Sequence, residues 1–207
     1  MPGPNTHYYE PKNGHGLPHN PFKSIIGPRP IGWISTVDSD GIRNLAPYSF
    51  FNAFNDDPPI IGFASDGWKH TVANIEATGV FVWNLATLAL AEQMNASGAA
   101  VASSVDEFDL AGLTSLPGHC VKAPRVAESP VNFECRLTQL VRLRDGAYRD
   151  LETWMVLGEV VAVHIDHSLL QDGVYLTAQA GPILRAGGTA AYAAIDSTVM
   201  FDLHRPR

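Results

Sequence analysis

The chain reads PRPIGWISTVDSDGIRNLAPYSFFN over residues 28–52 and PPIIGFASDGWKHT over residues 58–71, and these two stretches decide its fold class. Residues 31–37 alternate loosely between apolar and polar side chains and stop at Asp38-Ser39-Asp40-Gly41, a turn signal. A second extended stretch follows over residues 44–51, so the pair predicts a β-hairpin. Pro58-Pro59 opens a third strand over residues 60–64, closed by Ser65-Asp66-Gly67. Thr71 is expected to cap a helix that runs through Val72, Ala73, Ile75 and Glu76 and ends at Gly79.

Beyond this region the same logic continues. Residues 80–85 form a short continuous apolar strand, and a helix is expected over residues 87–95. Ser104-Val105-Asp106-Glu107 has the form of a capping box, which predicts a short helix there. Residues 113–130 hold three prolines and read as a loop. Residues 133–142 and 153–165 are strand-like and joined through Asp145-Gly146, a second and longer hairpin; Asp172-Gly173 marks a further turn. The sum is six or seven strands with two or three short helices between them, a mainly β protein. A closed or partly closed antiparallel barrel suits that inventory, because closure removes exposed edges. Strict β-α alternation, the mark of a doubly wound parallel sheet, is missing. Residues 1–21 carry five prolines and three glycines and are expected to be an arm on the surface or on a partner subunit, with one domain over residues 22–207.

Composition supports a single globular unit: 207 residues, 45% hydrophobic and 17% charged, with 15 prolines and 18 glycines that favour turns over a helical bundle. A net charge of -7 without a basic stripe argues against a nucleic-acid partner. The beginning of the sequence lacks a basic segment followed by an apolar one, and no apolar run approaches the ~20 residues that span a bilayer; a cytoplasmic protein without membrane association is expected. Cys120 and Cys135 are fifteen positions apart with no CxxC pattern, so two buried free thiols are expected, a disulfide being the alternative. Neither a dinucleotide-binding GxGxxG, a P-loop nor a GxSxG elbow occurs. His15 with His19, and His164 with His167, lack the helical i, i+4 frame of a metal pair, and no metal site is expected.

Chemistry concentrates in residues 28–71. Arg29 sits between two prolines ahead of a strand, and Ala46-Pro47-Tyr48-Ser49-Phe50-Phe51-Asn52 sets a hydroxyl, an amide and three aromatic rings side by side. Ser65, Lys69, His70 and Thr71 cluster before a helix N-terminus, where unpaired N–H groups and a partial positive charge favour phosphate. The same residues also read as an ordinary helix cap and core aromatics.

These strings, together with SSVDEFDLAGLT (103–114), PVNFEC (130–135) and GPILRAGG (181–188) followed by Tyr192, resemble the flavin reductase-like family of FMN-binding split barrels, in the family's order over about residues 20–192. The resemblance implies a Greek-key-like antiparallel barrel, a homodimer and an FMN-binding oxidoreductase. The activity it implies is that of an NAD(P)H-dependent FMN reductase, with NADH or NADPH as donor and hydride passing to flavin N5. An electron-transfer flavoprotein serving a protein or organic acceptor, such as a monooxygenase or redox partner, is the alternative, and a non-catalytic flavin-binding module a further one. By the same resemblance Arg29 and Ser35 would face the flavin. Ala46, Pro47, Tyr48, Ser49, Phe50, Phe51 and Asn52 would border its ring. Ser65, Lys69 and Thr71, flanked by Ala64, would hold the phosphate. His70 stands where the family often has Asp, and Arg185, Gly187, Gly188 and Tyr192 match a late segment near the dimer interface. No acid, base or nucleophile is assigned, since the flavin carries the chemistry. Cys120 and His164 read more readily as core and strand-end residues than as flavin neighbours.

Overall fold

The computed structural model describes residues 5–206, and its backbone is dominated by seven antiparallel strands in one sheet. In chain order these are β1 (Gly32–Val37), β2 (Arg43–Tyr48), β3 (Phe51–Asp56), β4 (Pro59–Asp66), β5 (Val80–Asn84), β6 (Val131–Arg144) and β7 (Asp150–Ile165). Their spatial order is β2-β1-β5-β6-β7-β4-β3. The two edge strands, β2 and β3, are thus consecutive in the chain, with only Ser49 and Phe50 between them. Three Cα–Cα steps reach at most about 11 Å, so the sheet must curl until its edges meet. The result is a barrel split along the β2/β3 seam, where the Phe50 carbonyl accepts a hydrogen bond from the Ala64 N–H of β4 (2.8 Å). Strands β5, β6 and β7 are successive neighbours and β4 returns to lie beside β7, a Greek-key arrangement.

Three helices connect these strands: α1 (His70–Thr78), α2 (Ala91–Ala96, entered through a 3-10 turn at Leu88–Leu90) and α3 (Glu107–Ala111). Helix α1 stops at Gly79, whose left-handed backbone (φ 72°) closes it. Val72 and Ile75 of α1 join Ile34, Phe63, Phe81 and Val156 in the barrel core. A second cluster of Trp33, Leu45, Met94, Phe108, Leu113 and Val126 forms where residues 86–126 pack over β1 and β2. Strand β1 is therefore buried on both faces, which explains its loose alternation. A small three-stranded sheet of Arg29–Pro30, Ile183–Arg185 and Tyr192–Ala194 lies apart from the main one. Among the described residues no helix is long and apolar enough to cross a membrane.

Several expectations are corrected here. The second strand does not run on to Phe51: it ends at Tyr48, because the chain must cross from one sheet edge to the other, and Phe51 begins a separate strand. Lys69, not Thr71, holds the N-cap position of α1, and no side chain caps that helix. At α3 the cap is Asp106, which accepts from the Phe108 N–H (2.9 Å), while Glu107 turns inward and is buried. Residues 113–130 are loop apart from the two-residue strands Ser115–Leu116 and Arg125–Val126. Both cysteines are free, but only Cys135 is buried; Cys120 is exposed, on a loop whose backbone N–H groups turn inward. Of the expected arm, residues 1–4 lie outside the described residues; residues 5–21 are largely exposed and contain a 3-10 turn at Pro11–Asn13.

The loop that carries Cys120 is held by a fully buried carboxylate. Glu134 of β6 accepts from the backbone N–H groups of His119 (2.6 Å), Cys120 (2.6 Å) and Val121 (2.9 Å), and from His164 Nε2 (2.6 Å). Burial pushes its pKa up, but the His119 N–H, the His164 ring and the other two N–H groups outweigh it and bring the value down to about 2. A depressed carboxylate pKa contributes stability above the unfolded value of about 4.5 and loses it as pH falls towards about 2. Glu134→Gln is expected to cost about 3 kcal/mol at neutral pH and to flatten the acid limb in that window, as read by chemical denaturation at several pH values.

Candidate functional site

The end of β2, the turn between β4 and α1, and α3 converge on one cleft of about 380 Å3. Ala46, Pro47 and Tyr48 of β2 form one wall, and Trp68, Lys69, His70 and Thr71 form another. Glu107 and the small residues of segment 97–101 complete the lining. The size is within the roughly 300–1,000 Å3 of small-molecule sites.

Electrostatically one corner suits an anion. The first three N–H groups of α1, from His70, Thr71 and Val72, make no hydrogen bond among the described residues, since the first helical bond is donated by Ala73 to the Lys69 carbonyl (3.0 Å). A nine-residue helix ending in free N–H groups presents partial positive charge. The exposed Lys69 and His70 side chains stand at the same corner, and Lys69 has no carboxylate partner among the described residues. Opposite lies Tyr48, its ring 4.5 Å from that of Phe63 and its hydroxyl buried without a hydrogen-bond partner. Burial raises its pKa; the neighbouring Thr71 and Ser65 hydroxyls work against that rise. Both hydroxyls donate elsewhere, Thr71 to Asn44 Oδ1 (2.7 Å) and Ser65 to the Gly67 carbonyl (2.8 Å).

Glu107 is the unexpected member. Burial raises its pKa, while the Leu45 N–H, the Asn44 amide and the charge of His70 oppose the rise. Its only signal in the sequence, a capping box, pointed elsewhere. Trp68, 43% exposed and edge-on to Trp154 at 4.5 Å, also escaped the reading, although it adjoins Lys69.

Of the residues singled out from the sequence, Ala46, Pro47, Tyr48, Lys69, His70 and Thr71 line this cleft, and Ser65 lies beside the Tyr48 phenol. Ser49, Phe50, Phe51, Asn52 and Ala64 lie along the seam instead. There Phe51 stacks on Trp83 (5.6 Å, 6°), and the exposed Asn52 accepts from the Ala53 N–H (2.8 Å). Arg29 is buried in the small sheet, donating from Nε to the Ser49 carbonyl (2.9 Å) and from Nη1 to the Lys23 carbonyl, with its guanidinium over Phe50. It tethers the seam from outside the cleft. Arg185, paired with Arg29 in register, donates to the carbonyls of Ala191 (2.8 Å) and Thr189 (2.6 Å). Ser35 is fully buried and bonded to the Pro124 carbonyl and to Asn84 Nδ2 (3.0 Å), which leaves it no surface for a ligand. His164 lines a separate cleft with Arg125, Asn132 and Asp166.

A model of the flavin reductase like domain matches residues 27–183. An uncharacterized protein of Aquifex aeolicus strain VF5 is 36% identical over 81% of this chain and 86% of its own length. Nitrilotriacetate monooxygenase component B from Bacillus cereus superposes with a TM-score of 0.83 at 26% identity, covering 98% of each chain. The 2-nitrobenzoate 2-nitroreductase NbaA of Pseudomonas fluorescens does so with 0.78 at 29% identity, over 89% of this chain and 88% of that one.

The orphan hydroxyl of Tyr48 has a measurable consequence. Tyr48→Phe is expected to leave the stability of the ligand-free protein unchanged or to raise it by about 1 kcal/mol. Thermal unfolding checks this, and a clear loss of stability would mean that the hydroxyl is bonded.

Proposed function

The chain belongs to the flavin reductase like family, and from that premise we propose that it is an NAD(P)H-dependent FMN reductase. The observation that carries the reading is the uncapped N-terminus of α1, with three free N–H groups and Lys69 at the corner of an otherwise mostly uncharged cleft. That donor set fits a phosphate monoester: free N–H groups supply directional bonds, and the ammonium supplies charge. The wall of Ala46, Pro47 and Tyr48 offers apolar surface to the body of the same ligand.

Bound FMN would supply hydride acceptance at its N5, which the protein's own side chains do not provide. The chain's part is to bind, orient and shield. The first turn of α1 and Lys69 hold the phosphate. Tyr48 and Pro47 limit the approach of water from the barrel side, and segment 97–101, rich in small residues, leaves room for a second planar ligand such as a nicotinamide. No acid or base need be invoked.

Dimerisation belongs to this reading. Strand β3 is exposed along almost its whole length, Phe54 is 53% exposed, and Val141 and Leu151 on the long β6–β7 hairpin are exposed as well. A two-fold partner would cover such apolar surface. Similarity to a monooxygenase component B favours a role in which reduced flavin is passed to a monooxygenase. A second reading has its own support in the likeness to a nitroreductase: the flavin stays bound and an organic acceptor is reduced in place.

The deciding experiment is anaerobic addition of NADH and then NADPH to the FMN-loaded protein. Rapid bleaching of the flavin band by either nucleotide is expected, and release of the reduced flavin separates the first reading from the second. A flavin that stays oxidised with both nucleotides would overturn the reductase assignment. Lys69→Met is expected to weaken FMN binding by roughly ten- to a hundredfold and to leave riboflavin, which lacks the phosphate, unaffected; fluorescence titration measures both.

A further inference from the structure

Glu107 is 4% exposed, while the N-cap Asp106 and the one other acidic residue of the helix, Asp109, both pair with Arg43. Both its oxygens are committed: Oε1 accepts from Asn44 Nδ2 (3.0 Å) and Oε2 from the Leu45 N–H (3.1 Å). In both contacts the carboxylate is the acceptor. The Asn44 amide must therefore turn its NH2 towards Glu107 and its carbonyl away. That carbonyl accepts from Thr71 Oγ1 (2.7 Å) and from Thr36 Oγ1 (3.3 Å). The Thr36 oxygen in turn accepts from Asn74 Nδ2 (3.0 Å). Every donor in this relay points towards Glu107, and its far end is anchored in α1 at the second and fifth residues of the helix. Removing the acceptor at the head would leave the amide free to reverse, with buried donors facing one another.

We propose that Glu107 is a positioning residue of the flavin phosphate site: through Asn44 it fixes the Thr71 hydroxyl and the first turn of α1, so that the free N–H groups converge on one anion. The inference rests on the flavin reading above and sharpens it. Because the Thr71 hydroxyl hydrogen is committed to Asn44, Thr71 serves the phosphate through its backbone N–H and not through its side chain. Glu107 itself donates nothing to the ligand. Its negative charge is tolerated at the cleft because two donors hold it and His70 lies nearby.

The test uses the full chain and compares FMN with riboflavin, since only FMN reports on the phosphate corner. Glu107→Gln keeps shape and places an NH2 group where an acceptor is needed. It is expected to lower FMN affinity about tenfold while riboflavin affinity holds. Adding Asn44→Asp to that variant restores a donor facing an acceptor at each link, with the charge moved by one residue, and is expected to recover most of the lost FMN selectivity. A Glu107→Gln protein with the wild-type ratio of FMN to riboflavin affinity would overturn the proposal, as would a double variant that fails to recover a lost ratio. Should the single variant not fold, the double variant decides alone: selective FMN binding supports the relay, and its absence refutes it. Equal affinity of the wild-type protein for FMN and riboflavin would instead refute the phosphate site itself, and the relay's role with it.

Discussion

Everything in this molecule depends on a two-residue link. Ser49 and Phe50 carry the chain from one edge of a seven-stranded sheet to the other, and a link that short tolerates no flat sheet. Curling brings β4 against the seam, buries Phe63 and Phe81 inside, and aims the end of β2 at the beginning of α1. The cleft is a by-product of that closure. Its two main walls are joined across the barrel by Tyr48 and Phe63, whose rings meet at 4.5 Å. Arg29 reinforces the link from outside by bonding the Ser49 carbonyl and covering the Phe50 ring.

Two buried carboxylates do comparable structural work, one on β6 and one at the start of α3. Glu134 gathers three successive backbone N–H groups of one loop and a histidine. Glu107 gathers one backbone N–H and one amide. The balance between burial and donors sets the direction of each shift: at Glu134 four donors outweigh burial and lower the pKa, whereas at Glu107 burial outweighs its donors and raises it. An irregular loop and a short helix cannot fix themselves by their own hydrogen bonds, so an acceptor-only group from another element supplies the missing constraint.

Among the described residues that line the cleft, no nucleophile is paired with a base. A protein that hosts a redox-active ring needs shape, orientation and a grip on the ring's charged tail. At the start of α1 the unpartnered groups are backbone N–H groups, which are present whatever side chain stands at position 70.

Local pattern carried the elements whose signal is local. The hairpin of β1 and β2, the strand at 80–84, the helix closed by Gly79 and the long hairpin of β6 and β7 follow from turn chemistry and apolar runs that any short window contains. Lys69, His70 and Thr71 are contiguous, and the structure sets all three along one cleft. The seam was misread because crossing from edge to edge leaves no local mark: residues 44–51 read as one continuous extended stretch. Arg29 and Ser35, expected beside the flavin by family resemblance alone, lie respectively in the small sheet and among the fully buried residues of β1. Glu107 was read as a cap because its partners, Asn44 and Leu45, lie more than sixty residues away. The sequence by itself determined a mainly β chain with a helix that starts beside Lys69. Only the folded barrel decided which buried carboxylate would face that helix, since hydrogen-bond partners distant in sequence are chosen by how the sheet closes.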